Sequence, residues 1–214
     1  MEGKMARPKK DDSGNDGISA KDKILNAAES MFATKGYDAA TIGEIGKLAG
    51  VNSALLYYYF ANKEAILRQM MESAIAEVNR MVNDRFNEIT LIDSVTFEGF
   101  VTDILDFLQR KRQIIIIMMA EISRVGRENA YIFELMSPVY ENVIAKFKGF
   151  NIDTSNLNYM RLKLFLLFTS PLLMGIMIGD EWRKFYNISG KEYQDLYMLA
   201  MKELSKLVGL PKDK

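Results

Sequence analysis

Thr41-Ile42-Gly43-Glu44-Ile45-Gly46-Lys47-Leu48-Ala49-Gly50-Val51-Asn52-Ser53-Ala54-Leu55-Leu56-Tyr57-Tyr58-Tyr59-Phe60 reads as two short helices joined by a tight turn. Thr41 and Glu44 make a capping box, in which a hydroxyl covers an orphan amide at the helix start and the carboxylate reaches back to another. Ile42, Ile45, Leu48 and Ala49 give the first helix an apolar face. Gly50 supplies a left-handed residue for the turn at little steric cost. Asn52 is placed to cap the second helix, and Leu56 and Phe60 anchor it to its neighbours. Three successive tyrosines cannot all face inward, because adjacent helical residues point about 100° apart. At least one is expected in solvent, with Tyr58 and Tyr59 favoured.

The same helical spacing extends in both directions. Upstream, Ser19 and Asp22 cap a helix whose inner face is Ile24, Leu25, Ala28, Met31 and Phe32, and Gly36 stops it. Downstream, Asn62 caps a long helix striped by Leu67, Met70, Ala74, Val78 and Val82. Phe97, Val101, Ile104 and Leu108 make another face, and Ile114–Ala120 continues into Glu121 and Ile122 as a helix. Residues 128–148 predict a helix disturbed at Pro138, residues 157–179 an apolar helix, and Ser189 with Glu192 the start of a last helix ending at Gly209 before Pro211. The expected fold is all-α, with three parts. Residues 1–18 form a disordered arm, basic then polar; residues 19–64 a small three-helix domain; and residues 65–210 a larger helical domain entered through the long helix.

Composition narrows the chemistry. The chain has no cysteine and no histidine, which removes disulfides, thiolate chemistry and the commonest general base and metal ligand. No paired-carboxylate constellation replaces them, so neither an enzyme nor a cofactor or metal is expected. The first apolar run begins near Ile24, which gives no secretory signal. The apolar run Leu164–Ile178 is shorter than the roughly 20 residues of a membrane span and contains Thr169, Ser170 and Pro171. It is expected to be a buried core helix, and the protein to be cytoplasmic with no membrane partner. Formal charge is zero overall, yet Lys4, Arg7, Lys9 and Lys10 crowd the arm, where they could touch phosphate.

A short helix with small polar residues at its start and a tyrosine cluster at its end suits a DNA major groove. The blocks Ile24–Phe32, Lys35-Gly36-Tyr37, Thr41-Ile42, Ala49-Gly50-Val51, Leu56–Phe60 and Lys63-Glu64 go further. In order and spacing they resemble the N-terminal domain of the TetR family of helix-turn-helix transcriptional repressors, over roughly residues 20–70. The resemblance implies a homodimer that reads a palindromic double-stranded operator and is released by a small molecule bound in the larger domain. It implies phosphate contact from Thr41 and Lys63, base-edge or phosphate contact from Asn52 and Ser53, and backbone or sugar contact from Tyr57 and Tyr58. The sequence departs from the family pattern at Ala54, Leu55 and Tyr59. Leu55 therefore suits an apolar contact such as a thymine methyl, and Tyr59 joins the DNA-facing set.

The larger domain is rich in methionine and aromatic residues, which adapt to irregular shapes. A largely apolar ligand cavity is expected between its helices, touching Ile104, Phe107, Met119, Glu121, Met136, Tyr140, Phe165 and Phe168, for an apolar or amphipathic effector. Leu162, Leu166, Leu173, Leu196, Tyr197 and Leu204 are expected at the dimer interface, with Gly175 and Gly179 allowing close approach there. The alternative reading is a helix-turn-helix protein acting on DNA through a protein partner, without a small-molecule effector.

Overall fold

A computed structural model describes residues 18–88, 93–124, 130–150 and 152–208, with backbone alone at 94, 121–124, 130–132 and 208. The expected arm up to residue 17, the side chain of Glu121 and the stop at Gly209 lie outside the described residues. The described residues are helical and contain no strand. The chain divides into two compact units, Met1–Met70 and Met71–Lys214.

In the first unit, α1 (Ala20–Lys35) packs on α2 (Ile42–Ala49) and α3 (Ser53–Tyr59), and α4 (Lys63–Glu88) begins there. The caps are those the sequence predicts. Ser19 accepts from the Asp22 amide, Thr41 and Glu44 complete a reciprocal box, and Asn52 and Asn62 accept from Leu55 and Ala65. Gly50 ends α2 with φ 68°, and the amides of Gly50 and Val51 reach back to the carbonyls of Lys47 and Gly46. That pair of bonds is a Schellman ending, and it turns the chain within two residues. A Cβ on Gly46 would stand 3.0 Å from Leu56, so α2 and α3 approach closely at that point. Ile24, Ala28, Phe32, Ile45, Leu56, Phe60 and Ile66 are buried beneath them. Phe32 is fully enclosed, and a core phenylalanine of that kind contributes about 3–5 kcal/mol.

The second unit adds α5 (Ser94–Arg110), α6 (Arg112–Arg124), α7 (Ala130–Gly149), α8 (Leu157–Leu164), α9 (Ser170–Phe185) and α10 (Gly190–Val208). Pro138 lies inside α7 without ending it. One core gathers Phe97, Val101, Ile104, Leu172 and Met201; another gathers Ile144, Phe147, Ile152, Met160 and Leu164. Between α8 and α9 the helix widens into a π-turn at Phe165–Thr169, where the amide of Ser170 bonds the carbonyl of Phe165. Pro171 therefore starts α9 without breaking the rod.

The sequence reading of this last stretch is corrected on two counts. The apolar helix is continuous over Leu157–Phe185, 29 residues, with mean hydropathy 1.9 in its most apolar window, long and apolar enough to cross a membrane. Only 22% of that window is buried, so it is not the enclosed core helix the sequence suggested.

Candidate functional site

Two features of the first unit expose unusual chemistry. Tyr57, Tyr58 and Tyr59 are all exposed, at 55%, 72% and 38%, one more than expected. α3 has seven residues, and only Leu56 on it is buried, so the tyrosines spread across its outer side. Tyr58 and Tyr59 meet edge to face with centroids 5.2 Å apart, which holds one ring against the other. Asn52 and Ser53 are exposed at the start of the same helix. The Oδ1 of Asn52 accepts the Leu55 amide at 2.8 Å, which leaves its NH2 as the group that can face outward. Leu55 is half-buried.

Thr41 is exposed, but its hydroxyl already donates to Glu44 at 2.7 Å. Glu44 also accepts from Lys35 at 2.5 Å. Lys35 first, then Thr41, hold the Glu44 carboxyl down to about 2. An anion approaching this helix start meets a carboxylate as well as exposed amides.

Lys63 is turned away from the role expected of it. Its ammonium donates to the carbonyls of Tyr37, Asp38 and Ala40 at 2.6, 3.2 and 3.3 Å and stands 4.3 Å over the Tyr37 ring. An ammonium has three donors, and here all three close the α1–α2 connection. In this structure Lys63 braces the first unit, with its three donors engaged within the chain. The sequence could not reveal this, because the bonds span 23 to 26 residues.

In the second unit α4, α5, α6, α7, the π-turn and α9 surround a cavity of about 390 Å³. Ile104, Phe107, Met119, Met136, Tyr140, Phe165 and Phe168 line it, so seven of the eight residues expected at an effector come together. The side chain of Glu121, the eighth, is outside the described residues. Polar chemistry in the wall is sparse. The Tyr140 hydroxyl donates to Thr169 at 3.1 Å, and burial pushes its ionisation up, so it stays neutral. Sequence reasoning missed Arg85 and Lys111, charged residues of the lining as described. Arg85 follows Val78 and Val82 at helical spacing, and that cation on an apolar stripe was the available signal.

The outer side of the same helices carries an apolar stripe. Leu162, Leu166, Met174, Ile178 and Trp182, at multiples of four residues, are each about half exposed, Met174 also lining the cavity, and Leu196 and Leu199 of α10 are exposed with them. Of the residues expected at an interface, Leu162, Leu166 and Leu196 are exposed. Leu173, Tyr197 and Leu204 are not. Leu173 lines the cavity, while Tyr197 and Leu204 pack on the core of Phe97 and Val101. The Tyr197 hydroxyl donates to the Pro171 carbonyl at 2.9 Å. The glycines are corrected for the same reason. A Cβ at Gly175 would lie 2.7 Å from the Tyr197 ring, and one at Gly179 would collide with Tyr193. They admit α10 of their own chain.

The comparisons with known proteins follow this division. Residues 24–70 match the family model described as bacterial regulatory proteins, tetR family. Over 53 residues the chain is 43% identical to the biofilm operon icaADBC HTH-type negative transcriptional regulator IcaR of Staphylococcus epidermidis. That match covers 25% of this chain and 29% of the relative, less than a third of its length. The whole fold is similar to the fatty acid degradation regulator FadR of Bacillus halodurans, with TM-score 0.65 and 21% identity over 92% of this chain and 98% of that one. It is also similar to Thermus thermophilus FadR, a TetR-family transcriptional repressor in complex with lauroyl-CoA, with TM-score 0.60 and 18% identity over 91% and 97%. Residues 24–70 are thus a tetR-family N-terminal domain, and the chain as a whole shares its fold with the two FadR proteins.

Proposed function

We propose that this protein is a transcriptional repressor that binds a palindromic operator as a homodimer and releases it when a small, largely apolar molecule fills the cavity. The observation that carries the reading is the α3 surface: three solvent-exposed tyrosines on a short helix behind a Schellman turn, in the segment that matches the family model. Asn52, Ser53 and Leu55 face base edges. Tyr57, Tyr58 and Tyr59 give hydroxyls and ring faces to phosphate and sugar, and Thr41 opens α2 so that the first-turn amides behind it face a phosphate. Lys63 holds the unit in shape behind them.

The exposed stripe on α8, α9 and α10 covers the same stripe of a second copy. The cavity, with seven expected residues in its wall, supports an apolar effector, and lauroyl-CoA bound to a protein of the same fold is in keeping with that. α4 carries cavity residues from Met71 to Phe86 and begins beside α3 in the sequence, so ligand-dependent movement of α4 would alter the spacing of the two recognition helices. That spacing must stay near 34–36 Å, or a multiple, to fit successive major grooves. A DNA partner puts the protein in the cytoplasm.

The test is a fluorescence-anisotropy titration of the full chain against DNA from its own upstream region. Nanomolar binding that weakens as salt rises, and release on adding an apolar molecule that enters the cavity, are expected. Binding that no small molecule affects would favour action through a protein partner; absence of DNA binding at low salt would end the proposal.

A further inference from the structure

We infer that α3 reads its operator through the methyl groups of thymine, with Ala54 and Leu55 as the readers, so that each half-site carries thymine where these two residues meet it. This rests on α3 being the recognition helix and specifies the base chemistry it recognises.

Rotation about the helix axis comes first. Leu56, 2% exposed, fixes the buried direction of α3. At about 100° per residue, Ala54 and Tyr58 lie about 160° to either side of that direction, at the outer pole, with Leu55 and Tyr57 on the flanks at about 100°. The exposures agree. Tyr58 is the most exposed of the tyrosines, Ala54 is exposed, and Leu55 is half-buried. A recognition helix meets base edges with its N-terminal residues. Here those are Asn52, Ser53, Ala54 and Leu55, and the tyrosines follow them toward the sugar and phosphate walls of the groove.

Chemistry then removes the other ways of reading a base. Ser53–Tyr59 holds no Arg, Lys, Asp, Glu or Gln, so α3 has no fork for guanine O6 and N7 and no carboxylate for the cytosine amino group. A side-chain amide reads adenine by accepting from N6 while donating to N7. The Oδ1 of Asn52 is turned in on the Leu55 amide, and the NH2 left facing outward can donate but cannot accept the N6 proton. A serine hydroxyl donates or accepts as required and so serves any base. What remains is aliphatic: the Ala54 methyl and the exposed part of Leu55. The aliphatic group that a base pair offers in the major groove is the C5-methyl of thymine. Bringing these groups together takes hydrocarbon out of water on both sides and needs no hydrogen-bond geometry.

The test is an anisotropy titration of the full chain against the segment of its own upstream DNA that it protects from cleavage. That segment is made with thymine, with uracil for thymine, with 7-deazaguanine for guanine and with 7-deazaadenine for adenine. Uracil lacks only the C5-methyl, which lies in the major groove, so contacts in the minor groove do not move this comparison. Each contacted methyl should contribute about fourfold, and the uracil duplex should bind at least about 15-fold more weakly once both half-sites have lost one. The deaza duplexes, which lose the N7 acceptor, should each lose less than that. Leu55→Ala should shrink the ratio between thymine and uracil duplexes severalfold, and Ala54→Gly should shrink it as well. The ratio is internal to each protein, so a variant that is merely less stable leaves it unchanged. Equal affinity for thymine and uracil duplexes, a larger loss from either deaza duplex, or a ratio unmoved by both variants overturns the inference and leaves the operator reading standing. No binding to any duplex at low salt ends the operator reading and this inference with it.

Discussion

Tyr57, Tyr58 and Tyr59 in the first unit and Leu162, Leu166, Met174 and Ile178 in the second are exposed to similar degrees, yet they present different chemistry to water. Each tyrosine puts an apolar ring and a hydroxyl on the surface, so it is at ease in water and can exchange that water for a polar partner. The leucines, Met174 and Ile178 have no such group, and their stripe gains only by being covered. The first surface suits a partner that comes and goes. The second suits one that stays, which is what the proposed pair of subunits releasing DNA requires.

This contrast can be broken from either side. The largest effect should come from the bare stripe. Leu166→Glu combined with Ile178→Glu would set carboxylates against hydrocarbon in the pair, raising its dissociation constant about 1,000-fold or more. Sedimentation velocity would read this as monomer; an unchanged dimer would move the interface elsewhere. Next comes the brace behind the tyrosines. Lys63→Met would leave the carbonyls of Tyr37, Asp38 and Ala40 without their donor and destabilise the first unit by about 1–3 kcal/mol, measured by urea unfolding. At temperatures where the variant is folded, its DNA affinity should match the parent's, and a selective loss would restore Lys63 as a phosphate contact. Tyr58→Phe removes one hydroxyl and should weaken DNA binding about fivefold, at about 1 kcal/mol, with no change in melting temperature.

The smallest effect is electrostatic and concerns Glu44. Its carboxyl lies near 2 in the folded protein against an ordinary 4.5, so its contribution to stability is complete above pH 4.5 and fades as pH falls toward 2. Melting temperatures of the parent and Glu44→Gln should differ above pH 4.5 and converge near pH 2. A constant gap across that range would mean that Glu44 acts by shape and not by charge.

The sequence made the local decisions legible and the distant ones obscure. Caps at Ser19, Thr41, Asn52, Asn62 and Ser189 involve residues three apart, and each forms as read. The cavity was also readable, because Ile104, Phe107, Met136 and Tyr140 recur at helical spacing on faces too apolar for solvent. Lys63 was not, since its partners come from a loop some two dozen residues away. Nor could Leu173, Tyr197 and Leu204 be told from Leu162 and Leu166. Helices α8 to α10 are apolar on more than one side, and periodicity cannot say which side meets its own chain. That choice is made by Gly175 and Gly179, where Tyr197 and Tyr193 fill the space a side chain would take.

The π-turn at Phe165–Thr169 makes the helix from Leu157 to Phe185 one residue too long for a regular spiral. That surplus residue offsets the angular phase of α8 from that of α9 by about 100°. It acts as a vernier, letting a single rod aim Phe165, Phe168 and Leu172 at the cavity while Leu162, Leu166 and Ile178 look outward. Deleting one residue from 165–169 would restore the regular pitch and swing the two halves into a common phase. Every α8 side chain would then address the wrong neighbour without a single amino acid in α8 having changed.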